Sequence, residues 1–263
     1  MINATINLYS CHYCQQTILR KMKTNHLIYT LLITALLLNL TACDNWLNCI
    51  DGNGKIHSEY RVVAKFYGVE NSASFNVTIT HDSLYSVRVE ADENLMESIN
   101  TSVRGDNLII ERDKDRCINK GSDILIDIHM PDLDNIELTG SGNIDAYDFT
   151  SSQFAITNSG SGDIDIRNLI SNNVNFVVTG SGSITAQGKA EKANYLLSGS
   201  GEINAYDLPV NECYVTSSGS GDINCNVINQ LVVTLSGSGD VIYSGSPVVT
   251  KTDHGSGDVY KRD

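Results

Sequence analysis

The sequence predicts an all-β protein, a right-handed parallel β-helix with an N-terminal β capping region. The tripeptide Gly-Ser-Gly occurs seven times, starting at Gly140, Gly160, Gly180, Gly199, Gly219, Gly237 and Gly255. The spacings are 20, 20, 19, 20, 18 and 18 residues, a period typical of a solenoid that stacks one coil per repeat. Apolar and polar residues alternate on both sides of each tripeptide, which favours strands. The handedness follows from the strong right-handed preference of parallel crossovers.

The N-terminal region, 1–42, has the pattern of a signal peptide whose true start is Met22. A basic segment follows Met22, and then an apolar run over 27–40 leads to Leu-Thr-Ala-Cys ending at Cys43. This ending resembles the bacterial lipobox, which implies a lipid on Cys43. We therefore expect an exported bacterial lipoprotein, held to a membrane through Cys43, with 43–54 as anchor and short linker. Its expected location is the outer membrane, the cell surface or the periplasm.

Residues 55–130 lack the tripeptide but keep the alternation. The pattern predicts strands over 59–67, 73–80, 84–91, 108–112 and 123–130, with one helical turn over 94–99. We interpret the region as degenerate coils that cap the solenoid, because an uncapped stack exposes an edge. A separate β subdomain is the alternative.

Four cysteines follow the anchor. Cys49 and Cys117 lie in an exported, oxidising setting, where a disulfide would tie the linker to the cap; the sequence leaves open whether they are bonded. Cys213 and Cys225 fall at inward positions of their coils, and we expect them to be buried free thiols.

The β-helix itself is predicted over 131–263. The strongest apolar column stands two residues after each tripeptide and comprises Ile144, Ile164, Ile184, Ile203, Ile223, Val241 and Val259. The glycines are expected at a corner between two strands, where they permit positive φ and a close approach of successive coils. A further column, Phe149, Leu169, Leu208 and Ile228, predicts a third short face. Polar residues replace the columns in the last coil and predict a terminal cap.

Composition and spacing exclude several classes of function. The net charge of −13 disfavours nucleic acid as a partner, because phosphate binding needs a basic surface. The coils leave no room for the long loops that carry catalytic groups on β-helical lyases and hydrolases. The repeated serines have no histidine at a readable spacing, and the six histidines form no ligand pair. We therefore predict no catalytic residue, no metal site and no cofactor, with calcium as the one open alternative.

Two sets of residues are candidates for ligand binding. The position after the tripeptide is polar in every coil and forms a ladder of Asn143, Asp163, Ser183, Glu202, Asp222, Asp240 and Asp258. One hypothesis is a ligand or cation stripe, because stacked carboxylates repel unless a cation bridges them. The alternative is that these side chains accept backbone N–H groups at the corner and keep the surface soluble. Tyr147 and Tyr206, at matching positions in their coils, are candidates for stacking on sugar rings.

Residues 55–260 resemble the GIN-type head domain of putative autotransporter adhesins, a family of exported proteins common in Bacteroidetes. The resemblance rests on Phe-Tyr-Gly-Val at 66–69, on the stretch at 85–95, on Met-Pro-Asp-Leu at 130–133 and on the repeated Gly-Ser-Gly-Asp-Ile. It implies a β-helix and an adhesin-like role, and it supplies no catalytic motif.

The function predicted from the sequence is therefore that of a non-enzymatic, lipid-anchored envelope protein that binds a glycan or a protein. The alternatives are a carbohydrate-active β-helix enzyme and a purely structural envelope protein. An acidic pair with a nearby arginine or lysine would favour the enzyme, and smooth ladders without a cleft would favour binding.

Overall fold

The structure, a computed structural model, describes residues 49–121 and 123–262. The predicted signal peptide and Cys43 lie outside this range. Residues Cys49–Asp263 form one compact unit. The described part of the chain contains no helix with the length and hydrophobicity needed to cross a bilayer.

The unit is almost entirely β. Its strands are β1 (Cys49–Asp51), β2 (Ile56–Tyr60), β3 (Gly68–Asn71), β4 (Asn76–His81), β5 (Ser86–Asp92), β6 (Ile99–Arg104), β7 (Asn107–Arg112), β8 (Cys117–Lys120), β9 (Leu125–Met130), β10 (Asn135–Leu138), β11 (Ile144–Tyr147), β12 (Thr150–Asn158), β13 (Ile164–Val178), β14 (Ile184–Leu197), β15 (Ile203–Ser217), β16 (Ile223–Leu235), β17 (Val241–Gly245), β18 (Val248–Asp253) and β19 (Val259–Lys261). A 3-10 helix, Glu93–Ser98, lies where the helical turn was predicted.

The repeats stack as a parallel β-helix, which confirms the predicted fold. Each coil pairs its strands in parallel with the same strands of the next coil, both before and after the tripeptide. The isoleucine column is in register from Ile144 through Ile164 and onward to Val259, so the spacing read from the sequence is the coil length. The residues of this column that precede Val259 are buried.

The tripeptide glycines are needed for close packing between coils. A Cβ built on Gly180 would lie 2.0 Å from the carbonyl oxygen of Gly160, and one on Gly201 would lie 2.0 Å from that of Gly182. The prediction that these glycines also use positive φ is wrong, because only Gly54, Gly105, Gly188 and Gly245 do so among the described glycines. The tripeptide glycines do not need positive φ. The backbone of the preceding coil occupies the space that a side chain would fill.

The third face is present, but one predicted member does not belong to it. Phe149, Leu169 and Leu208 are buried, whereas Ile228 is 52% exposed. The pairing of β15 with β16 runs from Ala205 directly to Pro209 and skips 206–208, because the later coil is shorter. Val227 therefore takes the inward position, and Ile228 points to solvent.

The N-terminal region is built from degenerate coils and a cap. β3 pairs in parallel with both β7 and β10, and β4 pairs with both β9 and β11. The coil of β3 and β4 is therefore inserted between two coils that are consecutive in sequence. β2, β5 and β6 add antiparallel strands at this end, and Leu95 and Met96 of the 3-10 helix are buried there.

The strand predicted over 59–67 is wrong. β2 ends at Tyr60, and 61–67 belong to no strand. β6 was not predicted from the sequence. This strand pairs only with β7 among the described strands, and Ile99 is its only buried residue. An edge strand needs few apolar residues, so its alternation is weak.

The four cysteines of the described chain form one disulfide and two free thiols. Cys49 and Cys117 form a disulfide with an S–S distance of 2.08 Å, which joins β1 to β8. Cys213 and Cys225 are free and buried, as predicted. Burial raises the pKa of the Cys213 thiol well above its usual value.

Two buried polar residues of the solenoid, Asn158 and Ser217, differ in their hydrogen bonding. The buried Asn158 donates from Nδ2 to the carbonyl oxygen of Gly162 at 2.8 Å and accepts from the Gly160 N–H at 3.1 Å. It therefore stabilises the turn formed by the tripeptide of its own coil. The hydroxyl of Ser217 has no hydrogen-bond partner within the described residues.

The last coil is polar, as predicted. Lys251 and Asp253 occupy the positions that Val233 and Leu235 hold one coil earlier, and they form an ion pair at 2.8 Å. Charged residues on an end strand discourage pairing with other chains.

Candidate binding surface

A shallow groove on the solenoid is lined by side-chain amides. Its volume is about 730 Å³, and it spans strands of successive coils from β10 to β14. The amides that line it are those of Asn135, Gln153, Asn173, Asn175 and Asn194. We call this surface the amide groove; its residues are not among the candidates predicted from the sequence.

The strand register arranges these amides in two rows. Gln153 is in register with Asn173 on the neighbouring strand, and Asn175 is in register with Asn194. Stacked strands lie about 4.8 Å apart, so each of these pairs places two amides one step apart, whereas Ala155 separates Asn135 from Asn175. The residue between the rows on β13, Val174, is buried, which fixes the outward direction of the amides on either side.

An aromatic ring continues one row. Tyr214 follows Asn194 in register and is 41% exposed. The other row ends in an ion pair between Lys192 and Glu212 at 2.9 Å, and the Tyr214 hydroxyl lies 3.4 Å from the Glu212 carboxylate. The surface thus combines amide donors and acceptors with one aromatic face, the carboxylate of Asp134 and the ion pair at the end of one row.

The sequence contained a signal for this surface. Asn135, Asn175, Asn194 and Tyr214 all stand five residues before the first glycine of a tripeptide. Ala155 holds the same position in the coil between Asn135 and Asn175, so this pattern predicts neighbouring amides only at Asn175 and Asn194. The apolar columns identify the inward positions of each coil and contain no information about these outward ones.

The ladder of polar residues that follow the tripeptides, which we call the acidic ladder, is linked by hydrogen bonds from the backbone of one coil to a side chain of the preceding coil. The N–H of Asp163 donates to Asn143 Oδ1 at 3.0 Å, and the N–H of Ser183 donates to Asp163 Oδ1 at 2.8 Å. The same bond joins Asp240 to Asp222 and Asp258 to Asp240, each at 2.8 Å. Glu202 instead accepts from the amide of Asn224 at 2.5 Å.

These contacts support the second interpretation of the ladder, in which the acids satisfy corner N–H groups. Within residues 49–121 and 123–262, no three His, Cys, Asp or Glu side chains come together in a way that could hold a metal ion. A cation is not needed to explain the arrangement.

We expect Asp163→Asn to leave the free energy of unfolding nearly unchanged, because asparagine keeps the acceptor, as Asn143 does one coil earlier. Asp163→Ala should cost about 1 kcal/mol, because the Ser183 N–H loses its partner. Urea denaturation of the two variants measures both effects. The melting temperature should be the same in excess calcium and in chelator; a rise with calcium that Asp163→Asn abolishes would instead establish the cation stripe.

The two tyrosines proposed for sugar stacking lie apart, and each ring has an arginine over it. Arg167 lies 5.5 Å from the ring centroid of Tyr147, and Arg262 lies 4.5 Å from that of Tyr206. Both tyrosines are half-buried. A sugar would compete with the guanidinium for the ring face, so stacking at these positions stays a prediction.

One acidic pair lies outside the groove. Asp145 and Asp165 are opposite each other on β11 and β13, and Arg167 contacts Asp165 at 2.7 Å. Burial, and then the neighbouring Asp165, raise the pKa of Asp145. Both aspartates are half-buried, and neither lines the amide groove.

The comparisons with known proteins concern both sequence and fold. Residues 65–247 match the model of the family described as "Putative auto-transporter adhesin, head GIN domain". No curated protein gives a significant match.

Several solved structures resemble the chain. One described as a putative adhesin from Bacteroides fragilis is 24% identical, with a TM-score of 0.77, covering 81% of this chain and 100% of that chain. A putative adhesin from Parabacteroides merdae is 21% identical, with a TM-score of 0.64, covering 82% and 100%. A protein from Parabacteroides distasonis described as a putative lipid binding protein is 22% identical, with a TM-score of 0.64, covering 82% and 100%. At these identities the likeness shows a shared fold.

Proposed function

Because the chain belongs to the family described as "Putative auto-transporter adhesin, head GIN domain", we propose that it is a non-enzymatic binding protein of the cell envelope. In this proposal a lipid on Cys43 holds the protein to a membrane, and the amide groove binds an uncharged glycan. The observation that carries the proposal is the pair of amide rows on successive coils.

The chemistry of the groove suits sugar hydroxyls. Each amide offers both donors and an acceptor, and the hydroxyl group of a sugar is likewise both a donor and an acceptor. The five amides that line the groove are neutral, and its one charged lining residue is the acid Asp134, which accepts from the Ser151 hydroxyl. This carboxylate and the net charge of −13 repel acidic polysaccharides. Tyr214 adds a ring face at the end of one row, where a sugar ring could stack. A shallow groove along stacked coils fits an extended chain better than a compact small molecule.

The lipid anchor rests on the sequence. A lipidated Cys43 would place the mature N-terminus at the membrane, and Cys49, six residues later, is tied to Cys117 by the disulfide. The structured unit would then begin next to the anchor. An adhesin-like family fits export to the cell surface or envelope.

The alternative of a carbohydrate-active enzyme is favoured by one observation, the pair of Asp145 and Asp165. Two features argue against it. Asp165 is already bound by Arg167, and the pair lies outside the amide groove, where a glycan would bind in this proposal. The two functions differ in a simple readout: a binding protein returns the glycan unchanged, whereas an enzyme shortens it or creates a new chain end that mass spectrometry detects.

The binding proposal predicts a specific loss. The chain begun at Asp44 should bind neutral glycans on an array, and Asn175→Ala combined with Asn194→Ala should weaken that binding about tenfold, because two hydrogen bonds are lost. Asn204→Ala, which removes an outward amide on another part of the solenoid, is the matched control and should bind normally.

Two other outcomes would change the conclusion. Glycan binding that survives the double variant would place the site elsewhere. A blank on glycans, together with binding to a matrix protein that the double variant loses, would identify the ligand of the groove as a protein.

A further inference from the structure

Three apolar side chains stand exposed on one face of the antiparallel sheet at the N-terminal end. Tyr60 and Leu84 are each 73% exposed, and Val62 is fully exposed. Tyr60 lies opposite Arg88, and the bond from the Arg61 N–H to the Val87 carbonyl continues the same pairing.

Val62 and Leu84 lie just outside β2 and β5, so burial decides the direction of their side chains. Their neighbours Val63 and Tyr85 pack against the core, and Val62 and Leu84 point away from it, as Tyr60 does. We call these three residues the apolar edge patch.

Nothing in the described chain covers this patch. Among the described strands, β2 pairs only with β5. Two more exposed apolar residues flank the patch, Ile56 on β2 and Leu125 on β9. Apolar side chains exposed together in this way mark interaction surfaces more often than isolated ones do.

The position of the anchor indicates what covers the patch. Only five residues, 44–48, separate Cys43 from Cys49, and an extended chain of this length reaches about 20 Å. The disulfide fixes Cys49 to Cys117, and Asn94 of the 3-10 helix donates to the Asp51 carbonyl and accepts from the Asn53 N–H, so the linker meets the fold close to where β2 begins. This argument rests on the proposed lipid anchor.

Two basic side chains near the patch, Lys55 and Lys65, are exposed. Arg61 instead pairs with Glu59 and donates to the Met96 carbonyl, and Arg88, opposite Tyr60, pairs with Glu90 and Asp127. Long basic side chains beside apolar ones can reach lipid headgroups, and tyrosine favours the same interface.

From the apolar edge patch, its lack of a cover and its distance from the anchor, we propose that Tyr60, Val62 and Leu84 dock on the lipid surface that holds Cys43. Three side chains bind a bilayer weakly on their own. The short tether raises their effective concentration at the membrane, so weak contacts suffice to hold this end of the protein down. The amide groove lies on later coils and remains free for its ligand.

The test uses the chain from Asp44, which includes the whole compact unit, with a hexahistidine tag directly before Asp44. The protein is bound to vesicles of phosphatidylethanolamine and phosphatidylglycerol that contain a nickel-chelating lipid. Amide hydrogen exchange over 56–65 should slow about fivefold or more on the vesicles compared with free protein. Exchange in β18, which carries the exposed Val248 at the other end of the solenoid, should not change.

Variants separate docking from simple nearness to the vesicle. Tyr60→Ser, Val62→Ser and Leu84→Ser combined should remove the protection while the tag still holds the protein on the vesicle. Val248→Ser combined with Val249→Ser is the matched control and should keep it. A urea midpoint close to that of the unmodified chain confirms that the triple variant is folded.

Three outcomes would overturn the proposal: equal exchange on and off vesicles, protection that persists in the triple variant, or the same protection in concentrated protein without vesicles. The last would show that a second copy of the chain covers the patch. The tag replaces the lipid, so the result is independent of whether Cys43 is lipidated, which the mass of the N-terminal peptide of the native protein tests separately.

Discussion

Gly180→Ala is expected to destabilise the protein by about 3 kcal/mol, at the upper end of the range for overpacking. The new Cβ would lie 2.0 Å from the carbonyl oxygen of Gly160 and 2.7 Å from the carbonyl carbon of Ser159. Both are backbone atoms, so no side-chain rotation can relieve the clash. The coils must separate, which strains the bond from the Ser181 N–H to the Gly160 oxygen, 3.0 Å long in the native structure.

One effect opposes this loss, and it is smaller. Alanine restricts the unfolded chain more than glycine does, which favours folding by about 0.4–1 kcal/mol. Because each coil contacts only its neighbours, a defect in the middle of the stack also weakens the coupling between the two halves. The urea midpoint and the steepness of the transition should both fall.

Ser181→Ala is the matched control for this prediction. Ser181 is the exposed middle residue of the same tripeptide, and its loss should change stability by less than about 0.5 kcal/mol. Equal midpoints for the glycine and serine variants would show that the corner tolerates a side chain, and that the repeated glycines have another cause.

Removing the disulfide is the second change with a large expected effect. The bond between Cys49 and Cys117 joins residues 68 positions apart, and a loop of that length restricts the unfolded chain by about 4 kcal/mol in the chain-entropy model. We expect Cys49→Ser combined with Cys117→Ser to lower the free energy of unfolding by about 2–4 kcal/mol. The loss should be measured by denaturation under non-reducing conditions.

Reductant provides the control for the disulfide. Wild-type protein with the bond reduced should unfold at nearly the same midpoint as the double variant, and the variant should not respond to reductant. Hydrogen exchange should show the largest change in β1 and β8, which pair with each other. If the reduced wild-type protein and the oxidised wild-type protein unfold at the same midpoint, the bond does not stabilise the fold.

The repeat could be predicted from the sequence because a solenoid is a local pattern. Coils of nearly constant length place Ile144 over Ile164 without any further information, so the period alone determines the register. The same regularity predicted that Cys213 and Cys225 are buried thiols, because both stand at inward positions of their coils. The same reasoning gave the wrong direction for Ile228. Its coil is shorter, and only the pairing of β15 with β16 shows that the residues left out are 206–208.

The cap and the candidate site were less accessible to sequence. The insertion of the β3–β4 coil between two later coils depends on pairings over a long sequence distance, which no local pattern records. The amide rows consist of residues that are individually ordinary on a surface. They become a site only because Asn175 and Asn194 are brought side by side on adjacent strands.

The sequence by itself determined the coil length, the inward columns, the polar final coil and the anchor motif at Cys43, because each depends on spacing along the chain. The tertiary structure decided how the acids of the ladder are satisfied, that Cys49 and Cys117 meet, and that the amides form a groove. These features depend on contacts between coils, where the free energy comes from groups distant in sequence. The tripeptide glycines show the difference: their positions are visible in the sequence, but the oxygen of the neighbouring coil is the reason for them.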